Sequence, residues 1–251
     1  APVASAQESC SPVHIVSIPG AGSTHSGAGN AVANAMEGAV ANAVASARPG
    51  EVTTWQAAYP ASAGAAWSAV APGDDATTFG NSRLKGDKAV LDHLRDYNSQ
   101  CSDSKIAVLG FSEGAAVGGD VLALLANGAI PGLTDDNILG GILFADPGRS
   151  GHSEFTGPSQ DASAYIQLPD DVEYQRNGEY STPTSEDSVG WVGQRSLDFG
   201  NVGQRVISVC NDGDIACSVP IGSTLRDVAD ISDKNLTPNS AYTSGVTLAK
   251  M

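Results

Sequence analysis

The chain has 251 residues, 41% of them hydrophobic and 16% charged, with 28 acidic side chains against 13 basic ones. That length and apolar content are enough for a buried core and exclude collagen, coiled coil and outright disorder. A formal charge of −15 argues against a nucleic-acid partner, and no apolar run reaches the ~18–20 residues of a membrane span.

Residues 1–6, Ala-Pro-Val-Ala-Ser-Ala, end in the small-x-small pattern left around a signal-peptidase site, which predicts an exported chain beginning near a cleavage point. The β-branched run over residues 13–18 reads as a strand that ends in Pro19-Gly20-Ala21-Gly22. Val32, Met36, Val40 and Val44 then recur at the spacing of one helical face until Pro49-Gly50 stops them. A second strand is expected over 52–59. An amphipathic helix carrying Leu84, Val90, Leu91, Leu94 and Tyr97 follows. A third strand over 106–109 leads into Ala-rich helical sequence that runs to about Leu125, and 138–144 and 206–209 supply two more strands. Strands alternating with helices predict a parallel sheet with helices on both faces.

Residues 150–203 break this rhythm. They carry scattered aromatics (Phe155, Tyr165, Tyr174, Tyr180, Trp191, Phe199) without sustained period. Long irregular segments are usually functional lids or disordered, and the aromatics favour packing, so the stretch is read as a lid or cap insertion. The cysteines are Cys10, Cys101, Cys210 and Cys217, with no Cys-x-x-Cys and no neighbouring histidines. An even count of this kind fits disulfides better than zinc. Sequence alone permits three pairings; the local pair Cys210–Cys217 is favoured, which leaves Cys10–Cys101.

Gly110-Phe111-Ser112-Glu113-Gly114 lies between a predicted strand and a predicted helix, the context of a nucleophile elbow. Its glycines let the chain turn sharply so that the serine hydroxyl stands clear, and the Glu113 amide then faces the oxygen of a bound carbonyl. A second oxyanion donor is expected from the loop Gly22-Ser23-Thr24-His25-Ser26-Gly27, where Ser23 offers an amide and a hydroxyl. A catalytic acid should follow the serine at the end of a later strand. Asp214, inside Cys210-Asn211-Asp212-Gly213-Asp214-Ile215-Ala216-Cys217, fits best; Asp212 is read as solvent-facing and Asp146 as a second candidate acid.

These motifs resemble those of the cutinases and cutinase-like serine esterases of the α/β-hydrolase superfamily. Gly22-Ser23-Thr24 is similar to the family's oxyanion loop, Gly-Phe-Ser-Glu-Gly to its Gly-Tyr-Ser-Gln-Gly elbow, and the cysteine-bounded loop to the one carrying its catalytic aspartate. Cys10 and Cys101 fall where the family's other disulfide lies. The resemblance covers 10–148 and 204–245. The Gly-Trp-Val-Gly-Gln-Arg-Ser-Leu-Asp-Phe-Gly end of the insertion is more similar to actinobacterial cutinase-like and PE-PPE-type hydrolases than to fungal cutinases. The resemblance implies one α/β-hydrolase domain over 1–251 with the insertion inside it.

It also implies a Ser-His-Asp mechanism, and here the sequence departs from the family. A serine esterase needs an imidazole to move the serine's proton, yet the histidines are His14, His25, His93 and His152, all before Asp214. Pro238-Asn239-Ser240-Ala241-Tyr242 resembles the family's Pro-His-x-Ala-Tyr, with Asn239 at the base position. Three explanations stand: a deliberate His-to-Asn exchange, a base supplied by His25 or His152, or lost catalysis with the pocket kept for binding. The implied function is a secreted or cell-envelope esterase acting on lipid esters of fatty or mycolic acids, such as an envelope glycolipid. It is expected to be monomeric and to need no metal or cofactor. The alternatives are an acetylxylan-type carbohydrate esterase and a non-catalytic lipid- or glycan-binding protein.

Overall fold

The computed structural model describes residues 10–64, 77–151, 173–174, 179–181, 184, 187–227 and 229. Its elements are β1 (Val13–Ile18), α1 (Met36–Ala47), β2 (Val52–Gln56), α2 (Phe79–Gln100), β3 (Lys105–Phe111), α3 (Glu113–Ala126) and β4 (Ile138–Phe144), followed by β5 (Glu173–Tyr174), β6 (Tyr180–Ser181), β7 (Ser188–Val189), β8 (Val206–Val209) and β9 (Val219–Pro220).

Seven strands form one sheet in the order β2-β1-β3-β4-β8-β6-β5, parallel except for the β5–β6 pair, while β7 and β9 form a small separate ribbon. Alternate side chains of the parallel strands point to opposite faces. Val16, Ile18, Ile106 and Val108 join the large core with Val90, Leu91 and Leu94 of α2 and Val117, Val121 and Leu122 of α3. Ile15 and Leu109 face the other way, against Ala41 of α1. The α/β-hydrolase-like layering read from the sequence is present.

The differences are local. Val32 precedes α1 rather than belonging to it, and β2 ends at Gln56, where its amide turns to Asn30 O at 3.0 Å. β5, β6, β7 and β9 are two residues long, too short for any periodicity to mark them. The described parts of 150–203 are built into the body: β6 extends the sheet beside β8, and β7 pairs with β9. The disulfides are Cys10–Cys101 and Cys210–Cys217. No helix among the described residues is long and apolar enough to cross a membrane.

Candidate active site

Parallel pairing decides where the loops meet. Phe111, Phe144 and Val209 stand in one row across β3, β4 and β8, so the chain leaves all three strands at the same edge. Ser112 follows the first of these, Ala145 the second and the Cys210 loop the third. Two hydrogen bonds tie them together: Ser112 N–H to Phe144 O at 2.8 Å and Ala145 N–H to Val209 O at 2.8 Å. β1 ends beside them, with Ile18 opposite Gly110.

Ser112 occupies the turn between β3 and α3 with φ 53° and ψ −122°, a conformation that costs an L-residue about 1–3 kcal/mol. Ala61 (φ 49°) and Ala145 (φ 52°) are the other non-glycine residues with positive φ among those described. Ser112 lines the crevice, and Ala61 and Ala145 each stand two residues before a lining residue, Ala63 and Pro147. Ala61 O receives the Gly22 amide at 2.8 Å. The close approach of Ser112 depends on absent side chains: a Cβ on Gly20 would lie 2.9 Å from Phe111 O and 3.1 Å from Ser112 Cβ, and one on Gly114 would lie 2.0 Å from Ile18 O.

The crevice is a pocket of about 190 Å³ lined by Ser112 and by Ala21, Ala63, Phe79, Phe111, Pro147, Trp191, Ile215 and Ala216. Ile215 and Ala216 adjoin Asp214, so the disulfide-closed loop and the elbow serine contribute to one cavity. Asp214 Oδ1 accepts from Ala216 N–H at 2.7 Å and Cys217 N–H at 3.2 Å. These bonds tie Oδ1 of the carboxylate into its ring. Asp212 is exposed, as expected.

On the other wall, the Ser23 amide donates to Gly20 O at 3.0 Å. That corrects the expectation that this amide is available to a ligand; the exposed hydroxyl is what Ser23 has left to offer. The Glu113 amide heads α3, where the first N–H groups have no partner inside the helix. The Glu113 side chain points inward and is fully buried.

Asp146 is not a second catalytic acid. It is fully buried and gripped by Arg195, Nη1 to Oδ2 at 2.6 Å and Nη2 to Oδ1 at 2.8 Å. Arg195 also reaches Asp120 at 3.0 Å and the carbonyls of Ala115 and Ala116 at 3.2 and 3.0 Å, in the first turn of the helix behind Ser112. Burial alone would lower its pKa, but Asp146, Asp120 and Glu179 overcome this and hold the guanidinium above its ordinary value. Reading the sequence missed this clamp, since one arginine in a segment without period carries no signal. It also missed Phe79 and Pro147 as pocket walls. Trp191 was noticed as an aromatic, not as a wall.

The histidines divide cleanly. His14 Nε2 and His93 Nε2 are 2.8 Å apart; Trp55 stacks on His93 and Tyr97 on His14, each with centroids 3.9 Å apart. His14 is opposite Ile106, six residues before Ser112, or about 20 Å along the strand at ~3.3 Å per residue. Neither can serve that serine. His25 is exposed on the loop after β1. His152 and Asn239 lie outside the described residues. Among those described, no three His, Cys, Asp or Glu side chains are grouped to hold a metal.

A family model described as Cutinase matches residues 9–227, a span that includes 150–203. The chain belongs to the cutinase family. Among curated proteins it is similar to a "Carboxylesterase Culp6 homolog" of Corynebacterium glutamicum, 27% identical over 147 residues, or 57% of this chain and 45% of that protein. The chain thus matches less than half the length of that relative. Among solved structures, an acetylxylan esterase has a TM-score of 0.53 at 18% identity, covering 96% of this chain and 97% of that one. The catalytic core domain of an acetyl xylan esterase from Trichoderma reesei gives 0.54 at 16%, covering 96% and 99%. Lysin B from mycobacteriophage D29 gives 0.51 at 18%, covering 96% and 87%. Identities this low speak for the fold alone.

Proposed function

We propose that the chain is a serine carboxylic ester hydrolase whose reaction centre is this pocket. The observation that carries the reading is Ser112, held at φ 53° in a cavity that it shares with the residues flanking Asp214. Ser112 Oγ attacks the ester carbonyl and the alcohol leaves. The Glu113 amide and the Ser23 hydroxyl stabilise the oxyanion, and water then releases the acid. Asp214 orients the base, and position 239 is the base site. Asn239 cannot accept the serine's proton near neutral pH, so catalysis in this chain is slow unless His25 or His152 substitutes.

The walls are apolar, and Ile215 beside Asp214 is 47% exposed. Both favour the acyl part of a lipid ester, fatty or mycolic, over a sugar. An acetyl group on a carbohydrate is the alternative that a small cavity also admits, and ligand binding without turnover is the alternative that Asn239 favours. The disulfides suit an oxidising compartment, and so a secreted or envelope protein. Placement near the actinobacterial cutinase-like and PE-PPE-type hydrolases is in line with the Corynebacterium glutamicum relative.

Hydrolysis of a short p-nitrophenyl ester tests the reading. Asn239→His should raise kcat/KM by about 10²-fold or more, the scale of a general base, and adding Ser112→Ala should abolish the gain. If Asn239→His stays as slow as the parent while His25→Ala or His152→Ala removes turnover, position 239 is not the base site. If neither form hydrolyses esters, the binding alternative stands.

A further inference from the structure

The residue after Ser112 carries a carboxyl group that the mechanism above does not use. Glu113 has no exposed surface, and neither of its oxygens meets a hydrogen-bond donor in good geometry among the described residues. Ser82 of α2 is close enough to favour the charged form, without completing a bond of good geometry to either oxygen. An ionised carboxylate left so poorly solvated is costly, whereas a neutral acid has one O–H to place and needs far less.

The surroundings tie this group to the oxyanion wall. Ser82 Oγ accepts the Ser62 amide at 2.9 Å, and Ser62 adjoins both Ala61, which holds Gly22, and Ala63, which lines the pocket. Tyr59 anchors the same loop by donating to Pro19 O. Among the described residues, the charged and titratable neighbours do not offer Glu113 a counter-ion of its own. Arg83 on α2 is taken by Asp120 at 2.7 Å, while Asp87, also on α2, and Glu37 on α1 share with Glu113 a repulsive effect on Tyr59. Asp87 and Glu37 are themselves buried, with orphan oxygens.

We propose that Glu113 is a positioning residue that works as a neutral carboxylic acid, filling the space between α3 and the 59–64 loop, and that its ionisation is an off-switch built into the elbow. A negative charge one residue from Ser112, behind the amide meant for the oxyanion, opposes the charge that develops in the transition state. It also drives the carboxylate toward water through the loop that supports Gly22. Burial, the largest cause, pushes this acid up to about 8 against the opposing effects of Ser82 and Arg83, so the switch falls in a usable range.

The catalytic half of this inference rests on the esterase reading; the protonation half does not. Chemical unfolding of the parent and Glu113→Gln between pH 4 and 10 therefore comes first. The folded form of the parent holds a proton that its unfolded form releases above the ordinary value of 4.5. Its folding constant relative to the variant should fall about tenfold per pH unit from ~4.5 to ~8 and then level off. A ratio constant across that range overturns the proposal. If the variant does not fold, carbon-13 NMR of the Glu113 carboxyl in the parent decides, and titration below pH 6 overturns it. In the Asn239→His background, kcat/KM should decline about tenfold per pH unit above ~8 with Glu113 and stay level with Gln. A matching decline in both refutes the catalytic half, and no hydrolysis in either refutes the esterase reading while leaving the unfolding result intact.

Discussion

Ser112 stands in a conformation that its own chemistry disfavours, and only its neighbours explain why it stays there. Gly110, Gly114 and Gly20 remove the atoms that would collide: a Cβ at 110 would lie 2.4 Å from Gly114 O, and one at 114 would lie 2.0 Å from Ile18 O. Backbone obstacles of this kind cannot rotate away. Gly114→Ala should therefore cost about 3 kcal/mol or more, whereas Gly29→Ala, with open space around it, should stay within about 0.5 kcal/mol. Urea midpoints of the two variants check this, and equal midpoints would mean that the elbow is not closely packed. The role of the elbow glycines was legible because glycine and serine at fixed intervals leave a mark in sequence. The strain at Ala61 and Ala145 was not, since alanine gives no sign of left-handed backbone. The occupation of the Ser23 amide was equally hidden, because a turn hydrogen bond depends on dihedral angles rather than residue type.

α3 shows what one element needs from a distant segment. Gly119 sits mid-helix, where glycine costs up to about 1 kcal/mol relative to alanine. Its reason is Arg195: a Cβ at 119 would come 2.2 Å from the guanidinium carbon, and one at Gly148 would come 2.6 Å from it. The two glycines make room for a buried cation that joins the first turn of α3 to the end of β4. Replacing it by Arg195→Met takes both guanidinium bonds from the fully buried Asp146 and leaves it the Gly148 amide alone among the described residues, which should cost about 3–5 kcal/mol. Adding Asp146→Leu should recover part of that loss, and denaturant unfolding of the two variants measures it. If the double variant is no more stable than the single one, the cost lies in lost packing instead. Strands with β-branched runs and helices with a four-residue period were readable in advance. The ribbon β7–β9 and the edge strands β5 and β6 were not, because two residues cannot express a period and their pairing is decided by the sheet already present.

Over the whole molecule, buried ionisable groups of opposite kind confine stability to a pH window. The shared Nε2 contact of His14 and His93 has no place for two facing N–H groups, and burial holds the two rings at about 4 and about 3. Both bind protons more readily unfolded than folded below 6.5, so stability is lost as the pH falls from 6.5 toward those values. Glu113 acts in the reverse sense. Burial raises its pKa, as it does those of Glu37 and Asp87, so the folded state retains protons that the unfolded state releases, and stability is lost as the pH rises above the ordinary values of 3.8 for Asp87 and 4.5 for the two glutamates. Below about 3.8 only the histidine effect operates among these groups, and above 6.5 only that of the acids. The maximum should therefore fall between about pH 3.8 and 6.5, with each proton contributing at most about 1.4 kcal/mol per pH unit on either side. Thermal unfolding across pH 3–9 checks this. His93→Gln, which can keep a hydrogen bond to His14, should flatten the acid side alone, and Glu113→Gln the alkaline side alone. A maximum at pH 8 or above would mean that the buried acids are ionised in the folded state, with counter-charges that the packing around them does not supply.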